Sequence, residues 1–145
     1  MAKSDTHISL NEIYSYLSEN QYVYFATTQD MQPKLRPMVL FFIRGHFYFV
    51  SFSGDAKVAQ IKQNKLCEVL LPIKDELGNT GYVKMTGVAK ICNDMVVKDD
   101  AQYWCYFFDQ YYDGIDDPDF CLIELEFDTF EYLKPGDNHT VKFRN

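Results

Sequence analysis

A short turn near residue 50 carries the residue types that bind anions. Residues 48–57 run from apolar, strand-forming side chains through Ser51, Ser53 and Gly54 to the start of a helical pattern. The first N–H groups of a helix lack partners within the helix, and the helix dipole is positive there. Together with serine hydroxyls, such groups suit a phosphate. Lys57 opposes the dipole in that first turn unless an anion binds, so the turn predicts a site for a phosphorylated ligand.

A second cation lies on the strand predicted over residues 34–43. Alternation places Arg36 among apolar residues on one face of this strand, and the opposite face is apolar too. We therefore expect the protein interior to cover one face, and a ligand or a second subunit to cover the face of Arg36. A guanidinium there needs an anionic partner, either a carboxylate in a structural ion pair or a ligand phosphate. Arg36 and Lys57 are the two cations expected to converge.

The segments that position these residues are mostly strands joined by short turns. Strand patterns occupy residues 22–28, 34–43, 46–52, 66–73, 82–91 and 120–133, with Gly87 as a candidate bulge. Helical patterns occupy residues 10–19, 55–64 and 96–112, and the first begins with a capping box from Ser9 to Glu12. The sequence contains no repeat and no linker. This order predicts one domain over residues 1–145, a mainly β antiparallel barrel with helices packed outside.

The composition excludes several classes of protein. The 145 residues are 47% hydrophobic and 17% aromatic, with a formal net charge of -7, which indicates a folded globule. Binding to nucleic acid or to an anionic membrane requires clustered positive charge, so neither is expected as a partner. Residues 1–7 show no signal peptide, and no segment reaches the length of a membrane span. We expect a cytoplasmic protein.

The residue types that bind metals do not occur here at the spacing typical of metal ligands. The four cysteines are scattered without a CxxC pair and are expected to be reduced thiols, while His7, His46 and His139 share no pattern. The acidic loop at residues 113–119 lacks the spacing of a calcium-binding loop and its closing glutamate. No metal is therefore predicted.

The anion-binding motifs fall at the spacing of a known family. They are LRPM at residues 35–38, FVSF at 49–52 and GDAKV at 54–58, followed by Ile61 and Asn64. Over residues 9–133 this pattern resembles the flavin-binding split barrels related to pyridoxamine 5'-phosphate oxidase. The resemblance implies a six-stranded antiparallel split β-barrel. It also implies FMN as cofactor, in a site at the interface of a homodimer.

The same resemblance implies which residues bind FMN. They are Arg36, Pro37, Met38, Val39, Ser51, Phe52, Ser53, Lys57 and Tyr82. Arg36, Ser51 and Lys57 match the positions that hold the phosphate, with Ser53 and Gly54 beside them. The backbone of residues 37–39 matches the segment that runs along the isoalloxazine ring, and Tyr82 matches a polar position at that ring.

Two departures from the family pattern bear on function. Many relatives have Ser-Arg-Lys in the turn, whereas this chain has Asp55-Ala56-Lys57, which removes one cation and adds a carboxylate. The chain also lacks the basic, histidine-containing C-terminal element that holds the substrate phosphate in a true pyridoxamine phosphate oxidase. Synthesis of pyridoxal phosphate is therefore not expected.

No residue has the setting of a general base or nucleophile, so a bound flavin would carry the redox chemistry. We predict an FMN-binding flavoprotein that passes electrons from a reduced nicotinamide to a small-molecule acceptor. The alternatives are a non-catalytic protein that stores or senses FMN, a barrel that uses deazaflavin or haem, and a degenerate barrel that binds nothing. The aromatic run at residues 103–112 predicts core and dimer interface, with a flavin-stacking lid as the alternative.

Overall fold

The computed structural model describes residues 9–144, so the expectation about residues 1–7 lies outside the described part. The strands are β1 (Asn20–Gln29), β2 (Gln32–Ile43), β3 (His46–Phe52), β4 (Leu66–Lys74), β5 (Thr80–Cys92), β6 (Phe120–Leu133) and β7 (Val141–Arg144). The helices are α1 (Leu10–Tyr14), α2 (Ala56–Gln63), α3 (Met95–Trp104) and α4 (Phe108–Tyr111). All six predicted strands are present. None of the described helices is long and apolar enough to cross a membrane.

The strands form one antiparallel sheet in the order β3-β2-β1-β4-β5-β6-β7, and pairing of β3 with β6 closes it. Six strands thus make the barrel, as predicted. The count differs by the short strand β7, which pairs with the last residues of β6 outside the closed ring. Its four residues are too few to give a distinct strand pattern, and pairing to β6 is what makes them extended.

Turn and bulge chemistry sets the register of the barrel. Asp30 and Met31 both have positive φ and join β1 to β2 as a two-residue hairpin, the geometry favoured by strand twist. The register between β5 and β6 shifts at Gly87, which confirms the predicted bulge. A Cβ atom on Gly87 would lie 1.9 Å from the carbonyl oxygen of Glu126, so only glycine permits this close approach.

Two separate apolar clusters stabilise the barrel. The inner cluster fills its interior with residues such as Phe25, Leu40 and Met85. The outer cluster lies between β2, β3 and β6 on one side and α3 and α4 on the other, and includes Phe41 and Tyr48. Neighbouring residues of one strand therefore belong to different cores, because successive side chains point to opposite faces.

This alternation corrects the expectation for the face of Arg36. Met38, Leu40 and Phe42, which share that face, pack against the inner cluster, so the barrel interior covers it. The opposite face, with Leu35 exposed and Val39 partly buried, is the one left open to a ligand or a second subunit. The sequence pattern could not rank the two faces, because both are apolar.

Two helices also differ from their predicted extents. The first ends at Tyr14 rather than residue 19, and the capping box does not form: Ser9 makes no side-chain capping bond. Glu12 instead accepts a hydrogen bond of 2.6 Å from the hydroxyl of Tyr132 in β6. The helix predicted over residues 96–112 breaks at Cys105, which is extended. The break allows Trp104 to stack on Tyr48, while Phe108 of α4 packs against Phe120.

Candidate functional site

The barrel is split between β2 and β3. Pairing of β2 with β1 runs from Phe41 to Gln32, whereas pairing of β2 with β3 stops at Phe41, opposite Tyr48. Beyond that point β3 pairs with β6 instead, as far as Phe52. One edge of β2 before Phe41 therefore has no neighbouring strand in the described sheet.

The backbone groups on this open edge belong to the odd-numbered residues of β2. The N–H of Phe42 donates to the carbonyl of Glu19 on the β1 side, and the direction alternates along an antiparallel strand. Leu35, Pro37 and Val39 thus direct their carbonyl groups toward the open edge. Pro37 has no N–H to leave unpaired there, which is why proline is tolerated at this position. The edge offers backbone groups to a ligand while resisting addition of another strand.

A cleft of about 230 Å³ lies along this edge. Its lining comes from β1, β2, the end of β3, the turn into α2 with the first residues of that helix, and residues 107–112 around α4. The lining residues are Tyr22, Pro37, Met38, Val39, Val50, Ser51, Phe52, Asp55, Lys57, Phe107, Tyr111 and Tyr112. Six of the nine predicted site residues are therefore brought together: Pro37, Met38, Val39, Ser51, Phe52 and Lys57.

The turn after β3 forms a closed network of charge and hydroxyl groups. Lys57 Nζ donates to Asp55 Oδ2 at 2.8 Å and to Ser51 Oγ at 3.1 Å. Ser51 Oγ in turn donates to the same Asp55 Oδ2 at 3.0 Å. The hydrogen bond from Lys57 is the largest cause of the lowered pKa of Asp55. The Lys57 side chain is only 14% exposed, so its charge is directed into the cleft wall rather than into bulk water.

Asp55 holds the N-cap position of α2 but does not cap it. Its side chain makes no capping hydrogen bond, although aspartate is among the best N-cap residues. The carboxylate is turned toward Lys57 and Ser51 instead. The N–H of Val58 donates to the backbone carbonyl of Asp55 at 3.1 Å, so the N–H groups of Ala56 and Lys57 are the ones left to bind another acceptor.

Aromatic rings form the wall opposite β2. The ring of Phe52 lies edge-on to Tyr111, with centroids 5.7 Å apart, and 5.2 Å from Tyr112. Phe107 and Tyr111 also contact each other edge-on, at 5.9 Å. Tyr112 is buried, and desolvation is the main reason that its pKa is raised, so its hydroxyl stays neutral. The wall is suited to a flat, apolar ligand.

Arg36 lies outside the cleft lining. Its Nη1 donates to the carbonyl of Phe25 at 3.1 Å and its Nη2 to Gln60 Oε1 at 2.9 Å, and the guanidinium sits 5.5 Å from the centre of the Phe25 ring. Gln60 also accepts from Thr27 at 2.6 Å. Among the described residues Arg36 therefore has no carboxylate partner, and the protein oxygens that accept from it are neutral. A ligand phosphate as its anionic partner stays a prediction. Desolvation lowers the pKa of Arg36.

Ser53 and Tyr82 also lie away from the cleft lining. Ser53 Oγ donates to the carbonyl of Pro118 at 2.7 Å, which fixes the turn to the loop before β6. Tyr82 is on β5, which is separated from β2 in the sheet by β1 and β4. Its hydroxyl donates to Glu131 at 2.6 Å, and this bond is the first cause of the raised pKa of Tyr82. Within one chain, neither residue contributes to this cleft.

Comparison with known proteins identifies the chain. The sequence model described as "Pyridoxamine 5'-phosphate oxidase like" matches residues 9–144. The chain belongs to the pyridoxamine 5'-phosphate oxidase-like family. General stress protein 26 of Bacillus subtilis (strain 168) is 28% identical over 116 residues, which cover 80% of this chain and 81% of that protein.

Solved structures share the family fold with this member. General stress protein 26 from Bacillus anthracis str. Sterne superposes with a TM-score of 0.71 and 21% identity, covering 92% of this chain and 97% of that one. A heme binding protein from Mycobacterium smegmatis superposes with a TM-score of 0.69 and 14% identity, covering 87% of this chain and 53% of that one. At these identities the likeness concerns the fold.

The cleft of this pyridoxamine 5'-phosphate oxidase-like protein includes residues that were not predicted as site residues. They are Tyr22, Val50, Asp55, Phe107, Tyr111 and Tyr112. The i, i+4 spacing of Phe107 and Tyr111 was a usable signal, because it puts both rings on one side of a helix. No such sequence signal exists for Tyr22 and Val50, because their position in the cleft wall depends on strand register.

The buried thiols offer no nucleophile. Cys67, Cys92, Cys105 and Cys121 are all free and buried. Burial raises the pKa of Cys67 to about 12 and that of Cys105 to about 11. Such thiols stay protonated and unreactive near neutral pH.

Proposed function

We propose that this protein binds FMN in the cleft between β2, the β3–α2 turn and α4. The observation that carries the proposal is that one cleft joins a surface for the flavin ring to hydrogen-bond donors for its phosphate. The open backbone edge of residues 37–39 faces the space where a planar ring with polar edges would lie. Ser51, Lys57 and the first N–H groups of α2 stand at the turn, where the phosphate would be held.

The donor set fits FMN with one exception. Lys57 and Ser51 are donors to an anion, and the rings of Phe52, Phe107 and Tyr111 are suited to an isoalloxazine ring system. The carboxylate of Asp55 is the misfit, because it lies on the same two donors. Arg36 keeps its predicted role at the phosphate only if its guanidinium leaves Gln60, so we assign the phosphate to Lys57 and Ser51.

We further propose that the protein is an oxidoreductase acting between a reduced nicotinamide and a small acceptor. When bound, FMN supplies the electron transfer, and the chain's own residues supply binding, orientation and exclusion of water. The aromatic wall would keep water from one side of the cleft. Tyr111, half exposed at its rim, lies where an incoming substrate would meet the site.

A homodimer completes the proposed site. The outer face of β1, β2 and β4 carries exposed apolar side chains, among them Tyr22 of the cleft wall, 75% exposed, Leu35, 69% exposed, and Leu66. Apolar patches of this kind mark interaction surfaces. A second copy covering this face would bury Tyr22 and would be the source of Tyr82, which is remote from the cleft of its own chain.

A haem-binding role has support from one neighbour, the heme binding protein from Mycobacterium smegmatis. Haem iron usually takes a histidine, cysteine, methionine or tyrosine ligand. The described residues lining the cleft include no histidine or cysteine, although Met38 and three tyrosines are present. FMN therefore fits the donor set better than haem does, and deazaflavin remains a second flavin-like ligand for the same wall.

The visible spectrum of the purified protein tests the cofactor. We expect the absorption bands of oxidised flavin, either as purified or after titration with FMN. Bands of haem or deazaflavin would support the corresponding alternative, and a colourless protein that ignores added FMN would contradict the proposal. Consumption of NADH or NADPH with added acceptors then separates an enzyme from a protein that only stores or senses FMN.

Light scattering on the FMN-loaded protein tests the dimer independently. We expect twice the mass of one chain. An FMN-loaded monomer would contradict the proposed interface while leaving the cleft as the FMN site.

A further inference from the structure

We propose that Asp55 acts as an internal anion in the phosphate position, and so determines which form of flavin the cleft prefers. This inference rests on the proposed function. Asp55 would remove most of the advantage that a terminal phosphate gives to FMN over riboflavin, which has the same ring system without the phosphate. Asp55 is thus a specificity-determining residue and not a catalytic one.

The contacts of the turn support this assignment. The two side chains available to a phosphate in the cleft, Lys57 and Ser51, both donate to the same oxygen, Asp55 Oδ2. The carboxylate is therefore bound in the way that one phosphate oxygen would be. A phosphate can reach these donors only by displacing the carboxylate or by sharing them with it.

Burial makes this competition effective. The Lys57 side chain is 14% exposed and the Asp55 side chain 41% exposed, so the pair forms part of the cleft wall. Charges in such a partly buried site are screened less than charges at an open surface. A dianionic phosphate placed beside an ionised carboxylate meets like-charge repulsion, which strongly disfavours binding.

The neighbouring cation does not offset the carboxylate. Arg36 is hydrogen-bonded to Phe25 and Gln60 and makes no ion pair with Asp55. Lys62, one turn and a half after Lys57 on α2, lines a different pocket with Ser53. Lys57 is thus the single described cation in the cleft lining, and Asp55 already neutralises it.

The N-cap geometry indicates that Asp55 is held by Lys57 and not by the helix. Asp55 has an extended backbone at the N-cap of α2 and could accept from the first N–H groups, yet its side chain makes no such bond. Its removal therefore costs no capping bond that the folded protein now uses. A neutral substitution should change ligand preference without unfolding α2.

The test compares dissociation constants for FMN and riboflavin, measured by calorimetry and by quenching of flavin fluorescence. For the natural protein we expect the two constants to lie within about tenfold of each other. Asp55→Asn should lower the constant for FMN by about tenfold or more and change that for riboflavin by less than about threefold. Asp55→Ser, which removes the charge with another good N-cap residue, should do the same.

Asp109→Asn is the matched control, because Asp109 is an exposed aspartate on α4 close to the aromatic wall but outside the cleft lining. It should leave both constants unchanged within about threefold. An unchanged FMN constant in both Asp55 variants would overturn the inference and leave FMN binding intact. Equal tightening of both flavins would also overturn it, because the effect would not involve the phosphate. Binding of neither flavin by any variant would overturn the proposed function as well.

Discussion

Two hydrogen-bond networks that each contain a cation contact α2. They differ in whether their polar groups lie where a ligand could bind them. Around Gln60, which is 5% exposed, every named donor has a neutral acceptor: Arg36 and Thr27 donate to Gln60, and Gln60 donates to Gln29. Around Lys57, the charge is paired to a carboxylate in the wall of a cleft. The first network is fully used by the fold, while the second uses groups that the proposed flavin phosphate would also need. Arg36 of β2 is thus tied to the fold, whereas Lys57 of α2 lies in the cleft proposed to bind the flavin.

The largest effect should come from removing the centre of the first network. Gln60→Ala deprives Arg36, Thr27 and Gln29 of a partner, and we expect the free energy of unfolding to fall by about 2–4 kcal/mol. Urea denaturation followed by circular dichroism would measure it. Gln63→Ala, an exposed glutamine on the same helix, should change stability by less than about 0.5 kcal/mol. Similar losses in both variants would show that removing any glutamine side chain from α2, and not the loss of the network, is responsible.

Replacing each cation by methionine tests whether the two networks have different roles. Arg36→Met should lower the free energy of unfolding by about 1–3 kcal/mol, because the carbonyl of Phe25 and Gln60 lose their donor. It should leave the ratio of FMN to riboflavin affinity unchanged.

Lys57→Met should do the reverse, because its ammonium group is the cation in the cleft. We expect FMN affinity to fall by about tenfold relative to riboflavin, with a loss of stability below about 1 kcal/mol. Flavin titration and urea denaturation on both variants give the four values needed. A selective loss of FMN affinity in Arg36→Met would restore the arginine to the phosphate site.

The smallest effect is a difference in pH dependence. The pKa of Asp55 is lowered in the folded protein, first by the hydrogen bond from Lys57. Its contribution to stability is therefore present above the unfolded pKa of about 3.9 and is lost as pH falls through the folded value. Stability of the natural protein minus that of Asp55→Asn should shrink from pH 7 to pH 3, by under about 1 kcal/mol because the pair is partly exposed.

The Gln60 network has no group that titrates in this range. The stability difference between the natural protein and Gln60→Ala should accordingly stay constant from pH 7 to pH 3. Urea denaturation at three or four pH values would measure both differences. A Gln60→Ala difference that falls with acid would mean that a carboxylate supports Arg36 after all.

Local sequence signals predicted the strands well and the helices less well. β3 and β6 occupy their predicted residues, because strand patterns there are bounded by clear turn residues. The helix over residues 96–112 was predicted as continuous, since its aromatic residues recur at helical spacing. It breaks at Cys105 because the aromatic side chains pack into two directions, against Phe41 and Tyr48 and against Phe120. Such a break depends on partners distant in sequence.

The site residues show the same difference between local sequence signals and tertiary structure. Ser51 and Lys57 were predicted from a short turn, because an anion site at a helix start is a local property. Tyr82 was predicted by position in the family, and only the sheet order shows how far β5 lies from the cleft of the same chain. The role of Asp55 needed both levels: the sequence showed the extra carboxylate, and the structure shows which two donors it accepts from.

The sequence by itself determined the strands, the barrel class and the family, since these depend on alternation, turn residues and local spacing, and it predicted the anion-binding turn. Only the tertiary structure decided which face of β2 is interior, and therefore that Arg36 belongs to the barrel network while the edge of residues 37–39 stays open. The physical reason is that both faces of β2 are apolar. Burial of one rather than the other is decided by what the rest of the chain packs against it.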